Sequence, residues 1–335
     1  MESVMTEKEH SLLDLVTPSR SALKEHESPS LALIENVKET LSSEQIKNTE
    51  NKTFFAYLDH ALSLFIDFEE GLDSAEKVQF KKRFREALLP LFNLSPFNYY
   101  CLTKPRGYAG DFVMMDMIWE NRTEKKESTS NHLNTRLDDW IYRMPNCAAN
   151  EERIHLLSNF LSRHSNAKTI ASIGCGAVIE LLFFLSKNSN HTIQTVHLYD
   201  QDEGALECAK QKLSPFQIET VTHKGNILKS ILSVKKEQYD LIYSSGLFDY
   251  FETLSCKKIA SKLWKALKSK GNMCIINANP ENPSRFWMEY AMDWELKYKD
   301  MNEFMSIFTQ LGDIEEYVLK KDKQGIYQYS YIQKS

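Results

Sequence analysis

Thr169-Ile-Ala-Ser-Ile-Gly-Cys-Gly-Ala-Val-Ile-Glu180 is the stretch whose reading decides the fold. A short apolar run meets two glycines one residue apart, and the chain then turns apolar again with helical spacing, from Val178 to Ser186. The order is strand, tight turn, helix. Gly174 and Gly176 let the backbone approach a ligand closely, and the helix start offers unpaired N–H groups. The same two glycines suit a plain structural turn, and taken alone the pattern leaves both readings open.

Beyond this stretch, short apolar runs at Thr195 to Tyr199, Ile218 to Thr222, Tyr239 to Tyr243 and Met273 to Asn277 alternate with helical patterns at Glu203 to Leu213 and Ser255 to Leu267. Continuous apolar runs suit strands buried on both faces, and their alternation with helices implies parallel order with right-handed crossovers. The expected fold class is α/β, a doubly wound Rossmann-like sheet. Helices are expected near Ser284 to Tyr298 and Met301 to Leu311. A hairpin of Ile314 to Leu319 and Ile326 to Ile332 would then complete seven strands.

Before residue 165 the apolar residues recur every three or four positions, as in Phe54, Phe55, Leu58, Ala61, Leu62, Phe65 and Phe68, which is the mark of amphipathic helices. The expected organisation is a mobile tail over 1–25, a helical N-terminal substrate or lid domain over 26–150, and an α/β domain over 151–335. Asn121 to Asn131 is polar and aperiodic and reads as an exposed loop or a frayed helix end.

Composition narrows the partners. The 335 residues carry 41 Lys and Arg against 46 Asp and Glu, a formal charge of -5, which argues against a general nucleic-acid or anionic-membrane binder. A small-molecule substrate is expected, with a homo-oligomer left open. The polar start and the shortness of the most apolar run, Val178 to Leu185, against the roughly 20 residues that span a bilayer predict no membrane insertion and a cytoplasmic protein. The six cysteines form no Cys-x-x-Cys pair and the nine histidines are dispersed, so no metal site is expected.

In an open α/β sheet, ligands collect beyond the carboxyl ends of the strands, where strand order reverses. Gly174, Cys175 and Gly176 follow the first strand. Asp200 ends the second, 24 residues after Gly176, where a carboxylate can accept hydrogen bonds from both hydroxyls of an adenosine ribose, with Gln201 beside it. Asp202 and Glu203 suit the cap of the next helix. Gly225 and Asn226 follow the third strand, where the amide suits an adenine edge or an exposed turn. The fourth ends in Ser245, Gly246, Asp249 and Tyr250, where the acid or phenol could orient or deprotonate a substrate, or Asp249 could cap a helix. A dinucleotide fingerprint would need glycine at Ile179, and the chain closes on a hairpin; both facts favour S-adenosylmethionine over NAD.

On these residues, from about 150 to the end, the chain resembles class I S-adenosylmethionine-dependent methyltransferases. The resemblance implies S-adenosyl-L-methionine as cofactor, with Gly174, Cys175, Gly176, Asp200, Gln201, Gly225, Asn226, Ser245 and Gly246 around it. An acid often precedes the glycine loop in that family, and here Ser172 stands in that neighbourhood, so contact to the methionine amine must come from elsewhere, for which the backbone carbonyls near Gly174 are the candidates. A second stretch, Lys104-Pro-Arg-Gly-Tyr-Ala-Gly-Asp-Phe-Val-Met-Met115, together with Gly246-Leu-Phe-Asp-Tyr250 and Asn277-Ala-Asn-Pro280, resembles a bacterial subgroup with a helical N-terminal domain, assigned to hydroxy fatty acid methyl ester biosynthesis.

Pro105, Gly107 and Gly110 preclude regular structure across Lys104 to Asp111, so this is a shaped loop, read as a lid or as a connection in which Asp111 caps the next helix. Tyr108, Asp111, Asp249 and Tyr250 are the catalytic candidates, with His223 as a further base. Arg106, Tyr108, Asn279 and Trp287 are the substrate-binding candidates, Arg106 and Lys104 being able to grip a carboxylate. Methyl transfer from a sulfonium is an in-line displacement, so the protein's main task is alignment in a cleft shielded from water. The expected reaction is O-methylation of a carboxylate or hydroxyl, with N-methylation or non-catalytic binding as the alternatives.

Overall fold

A computed structural model describes residues 29–123, 132–231 and 234–335. The expected mobile tail, and residues 124–131 of the expected polar loop, lie outside the described residues. The helices before the sheet are α1 (Pro29–Ser42), α2 (Glu44–Lys47), α3 (Asn51–Glu70), α4 (Ser74–Phe92), α5 (Pro96–Thr103), α6 (Phe112–Thr123), α7 (Leu133–Tyr142) and α8 (Pro145–Arg163). The alternating region then runs β1 (Thr169–Ile173), α9 (Ile179–Lys187), β2 (Thr195–Asp200), α10 (Glu203–Leu213), β3 (Glu219–Lys224), α11 (Ile227–Ser230) and β4 (Tyr239–Ser244). After it come α12 (Thr253–Ala266), β5 (Leu267–Ala278), α13 (Arg285–Tyr290), α14 (Met301–Ser306), β6 (Ile314–Lys321) and β7 (Tyr327–Lys334).

The chain forms two compact units that interleave along the sequence instead of dividing once near residue 150. One gathers Met1–Ala109, Lys125–Met144 and Ser284–Glu295; the other gathers Gly110–Glu124, Pro145–Pro283 and Leu296–Ser335.

The first unit is helical. In α3 the buried residues Phe54, Tyr57, Leu58, Ala61 and Phe65 follow the three-and-four spacing of one helix face. Helix α4 opens on a reciprocal cap: the Asp73 carboxylate accepts from the N–H groups of Ala75 and Glu76, and Glu76 reaches back to the N–H of Asp73. Aromatic edges then lock α4, α7 and α13 together. Phe84 meets Phe286 at 5.5 Å, and Trp287 takes Phe92 at 4.7 Å and Trp140 at 4.8 Å, all near perpendicular.

Arg136 on α7 is the polar centre of this unit. Its guanidinium is fully buried, donates to Asn51 Oδ1 at 2.8 Å and to the carbonyls of Ile46, Thr49 and Glu50, and lies 4.0 Å over the Phe54 ring. It thereby binds the link between α2 and α3 to α7.

The second unit holds a seven-stranded sheet in the order β3-β2-β1-β4-β5-β7-β6. β1 to β5 are parallel to one another and β7 runs antiparallel to both β5 and β6, so the closing hairpin is where the sequence puts it. Buried Ile170, Ala171, Ile173, Val196, Leu198, Leu241, Ile242 and Ile275 explain why the strands read as apolar runs.

The boundaries depart in three places. β5 begins at Leu267, because the polar segment Lys268–Lys270 lies half-buried to exposed and carries no apolar signal. The helix expected over Ser284 to Tyr298 stops at Tyr290; Asp293 adopts a left-handed backbone at φ 52°, bonded to Lys104 and Arg85. The helix expected to reach Leu311 ends at Ser306 and continues as turns.

Candidate functional site

The strand order reverses between β1 and β4, and the carboxyl ends of β1, β2 and β4 lie side by side there. The hydroxyl of Ser244, last residue of β4, donates to the Ile173 carbonyl at 2.9 Å and pins the two strand ends together.

At the end of β1, Gly174 and Gly176 take φ of 66° and 52°, the left-handed region that favours glycine. A Cβ on Gly174 would come within 3.0 Å of Leu247 Cβ. The loop is stitched to β2: the Gly174 and Cys175 N–H groups both donate to the Tyr199 carbonyl, at 2.8 and 3.1 Å, and the Gly176 N–H donates to Asp200 Oδ2 at 3.0 Å. Val178 closes it at φ 51°, a left-handed conformation that costs a β-branched residue about 1–3 kcal/mol and is held here by full burial of the side chain. Strain of this kind collects where a loop must keep one shape.

Asp200 is the hinge of the arrangement. Oδ2 holds Gly176, Oδ1 accepts from the Asp202 N–H at 3.0 Å, and the side chain stays partly exposed, so each oxygen keeps a lone pair for a further donor. Burial pushes its pKa up, with the N–H groups of Asp202 and Gly176 pulling the other way. The cradle could hold an adenosine ribose: a carboxylate at the end of β2 beside the glycine loop, with lone pairs left for hydroxyl donors.

The remaining candidates fall into distinct settings. Cys175 is buried and its thiol pKa is pushed well up by burial, so the loop offers a ligand its backbone and not a thiolate. Gln201 is exposed beside Asp200. Asp202 caps α10 through the Gly204 N–H at 2.8 Å, and Glu203 pairs with Lys224. The Gly225 N–H donates to the Asp200 carbonyl at 2.9 Å, and Asn226 Oδ1 accepts from the Leu228 N–H at 3.0 Å, which makes Asn226 the cap of α11. His223 stacks on Tyr199 with ring centres 4.1 Å apart and meets His197 Nδ1 through Nε2 at 2.9 Å.

The Lys104 to Asp111 segment is irregular, with Gly107 and Gly110 at positive φ. It joins the two units along the chain. Asp111 is buried and its Oδ1 accepts from the Met114 N–H at 2.9 Å, so it caps α6. The capped helix sets Phe112 against the glycine loop: the nearest atom to a Cβ built on Gly176 is Phe112 Cβ, at 3.6 Å. Phe112, Ile154, Ala177, Ile179 and Ala205 form one apolar cluster with Trp119 and Phe183 against it. In the other unit, Lys104 is bonded to Asp293 at 2.6 Å, Arg106 is exposed and Tyr108 half-buried.

Asp249 and Tyr250 lie in a short 3-10 turn, Leu247–Tyr250, after β4. Tyr250 is exposed, whereas Asp249 is buried, and its Oδ1 accepts from the Ala278 N–H at 2.6 Å, joining the ends of β4 and β5. Asn279 is buried too and donates to the Gly325 carbonyl at 3.2 Å, bracing the hairpin turn. Trp287 belongs to the aromatic core of the helical unit. Among the described residues no group of three or more His, Cys, Asp or Glu could hold a metal ion.

Burial raises the Asp249 pKa to about 6, against the opposing pull of the Ala278 N–H, Arg153 and Lys299. An acid whose folded pKa lies above its unfolded value adds stability that is full below the unfolded pKa and is lost as pH rises through the folded one. Asp249→Asn keeps an acceptor for Ala278 and removes the titration. Its unfolding free energy should match the parent near pH 4 and exceed it by about 1–3 kcal/mol above pH 6. Equal differences at both pH values, read by denaturant unfolding, would contradict a buried, titrating Asp249.

Two residues that the sequence reading passed over sit beside the same strand end. Arg153 on α8 is buried, donates from Nη1 to the Ser245 carbonyl at 2.8 Å and from Nη2 to Met115 Sδ at 3.3 Å, and makes no ion pair among the described residues. Glu180, in the first turn of α9, is buried with Oε1 lacking any hydrogen-bond partner. Burial raises its pKa, and the neighbouring Tyr243 hydroxyl and Arg153 pull the other way. A helical wheel carries the signal. Glu180 shares a face with Phe184, and Arg153 one with Asn150 and Leu157, all buried.

Residues 170–271 match the family model described as a methyltransferase domain. Along its whole length the chain is similar to the structure of a possible exported protein from Bordetella parapertussis, with 15% identity, 99% of each chain covered and a TM-score of 0.58. A likeness at that identity speaks to the fold. Over 54% of this chain and 94% of the other it also resembles an S-adenosylmethionine-dependent methyltransferase from Archaeoglobus fulgidus, at 13% identity and a TM-score of 0.42. No curated protein matches the sequence. Among the described residues no helix is long and apolar enough to cross a membrane.

Proposed function

We infer, for a chain that carries a methyltransferase domain and takes S-adenosylmethionine as its methyl donor, that the acceptor is a small molecule methylated on oxygen, a carboxylate before a hydroxyl. The observation that carries the donor site is the bond from the Gly176 N–H to Asp200 at the switch point of the sheet, which fixes the ribose carboxylate and the glycine loop relative to each other. Asp200 would take the ribose hydroxyls, the backbone of Gly174 to Gly176 would lie along the cofactor, and Gly225, Asn226 and Gln201 would border its adenine. When bound, the cofactor supplies a methyl group already activated by the sulfonium charge.

The choice of acceptor rests on where the basic groups are. Asp111 and Asp249 are buried and already accept backbone N–H groups, and His223 is stacked and bonded to His197. Burial also lowers the His223 pKa. A carboxylate acceptor is ionised at neutral pH and requires no base, so the protein's contribution reduces to alignment and exclusion of water. A hydroxyl acceptor would call on Tyr250 or Tyr108, and Arg106 would suit the acceptor's anionic group. The resemblance to the hydroxy fatty acid methyl ester subgroup agrees with an acidic, largely apolar acceptor. The formal charge of -5 argues against a nucleic acid as the acceptor.

Incubating the protein with S-adenosylmethionine labelled in its methyl group and a metabolite extract, followed by mass spectrometry, should yield a labelled methyl ester that mild alkali hydrolyses. A labelled amine, stable to alkali, would replace this reading with N-methylation. Absence of any labelled product would favour a non-catalytic binding protein.

A further inference from the structure

Arg153 and Glu180 are a buried cation and a buried carboxylate that do not touch. The Arg153 guanidinium spends its hydrogen bonds on a carbonyl and a thioether and stacks 5.0 Å from the Tyr327 ring, while Glu180 Oε1 has no partner. Both border the same place. A Cβ on Gly246 would lie 3.2 Å from Arg153 Nη1 and 3.9 Å from Asp249 Oδ2, and Glu180 follows the glycine loop in the first turn of α9. Buried charges this poorly paired are costly unless a ligand completes them. A ligand carrying an ammonium and a carboxylate on one carbon would answer both residues at once. Ser172, at the end of β1, supplies no charge there.

We propose that Glu180 receives the ammonium and Arg153 the carboxylate of the amino-acid end of S-adenosylmethionine. The proposal rests on the cofactor reading above and extends it to the end of the molecule opposite the ribose. Gly246 is the neighbour that leaves Arg153 room, and Ser245 fixes it through its carbonyl. Glu180 is the second residue of α9, so the loop that borders the nucleoside also delivers the carboxylate for the amine.

The test edits the ligand as well as the protein. S-adenosylhomocysteine, its desamino analogue, its decarboxylated analogue and methylthioadenosine, which lacks the amino-acid end, are titrated into wild type, Glu180→Gln and Arg153→Met. Wild type should prefer S-adenosylhomocysteine over the desamino and the decarboxylated analogue by about tenfold or more each, the scale of a charge-assisted hydrogen bond. Glu180→Gln should shrink only the first preference to about twofold, and Arg153→Met only the second, with methylthioadenosine affinity unchanged.

Wild type that binds the homocysteine ligand and its two analogues alike overturns the proposal, and this arm does not depend on either variant folding. Preferences that survive in the variants, or a loss shared equally by methylthioadenosine, overturn it as well. Wild type that binds none of the four ligands overturns the cofactor reading and the proposal together; tight nucleoside binding without these preferences overturns the proposal alone.

Discussion

Asp200→Ala is expected to weaken S-adenosylhomocysteine binding by about 100-fold or more, because the carboxylate serves the ligand and the loop together. Two hydrogen bonds from ribose hydroxyls to an ionised oxygen pair contribute about 1.5–3 kcal/mol each. The same substitution frees the Gly176 N–H, which now donates to Asp200 Oδ2 at 3.0 Å, and leaves the glycine loop held by the Tyr199 carbonyl. Asp200→Asn separates the two contributions, since it keeps one acceptor oxygen and loses the charge; its loss should be about tenfold. Calorimetric titration reads both. An Asp200→Ala dissociation constant within twofold of the parent would remove Asp200 from the site.

The largest expected effect on stability lies in the helical unit. Arg136→Met replaces the guanidinium with an apolar chain of similar length and takes its donors from the Thr49 carbonyl and Asn51 Oδ1, while the carbonyls of Ile46 and Glu50 keep only their bonds to Thr49 and to the Phe54 N–H. It also removes the cation held 4.0 Å over Phe54. Each acceptor left without a donor costs about 1–3 kcal/mol. The variant should lose roughly 5 °C or more in unfolding midpoint. Because Arg136 belongs to one unit and Asp200 to the other, methylthioadenosine affinity at low temperature should change little. An unchanged midpoint would show that the buried arginine is not a hub.

The sheet was legible because its parallel strands are buried on both faces. Ile170, Ala171, Ile173, Leu241 and Ile242 leave no polar interruption, and the helices between them keep a three-to-four spacing. Where a strand leaves the core the signal fails, as in Lys268–Lys270 of β5, which lies between the Leu267 and Asn272 pairings to β4, where the register shifts. The interleaving of the two units was hidden for a related reason. Ser284–Glu295 follows β5 directly in sequence, yet its Phe286 and Trp287 complete an aromatic core set by Phe65, Phe84, Phe92 and Trp140. Apolar residues state that they will be buried and not against what.

The candidate site divides along the same line. Gly174, Gly176 and Asp200 could be read because backbone conformation and strand ends dictate their residue types. Asp111, Asp202 and Asn226 have the residue types of catalysis and of helix caps alike, and in the structure each accepts the N–H of a helix first turn. Glu180 and Arg153 were overlooked for the opposite reason. Each is one charge in a helix otherwise read for its apolar face, and only placing that charge on the buried face reveals it. Val178 could not have been foreseen, since a valine at φ 51° runs against its own preference and is imposed by the turn around it.

The central claim is that the loop of Gly174 to Gly176 and the carboxylate of Asp200 form a site for S-adenosylmethionine and not for a dinucleotide. Calorimetric titration of the unaltered protein with S-adenosylhomocysteine and, separately, with NAD tests it most directly. S-adenosylhomocysteine should bind saturably at one site per chain and NAD should give no heat; saturation by NAD, or by neither ligand, would contradict such a site.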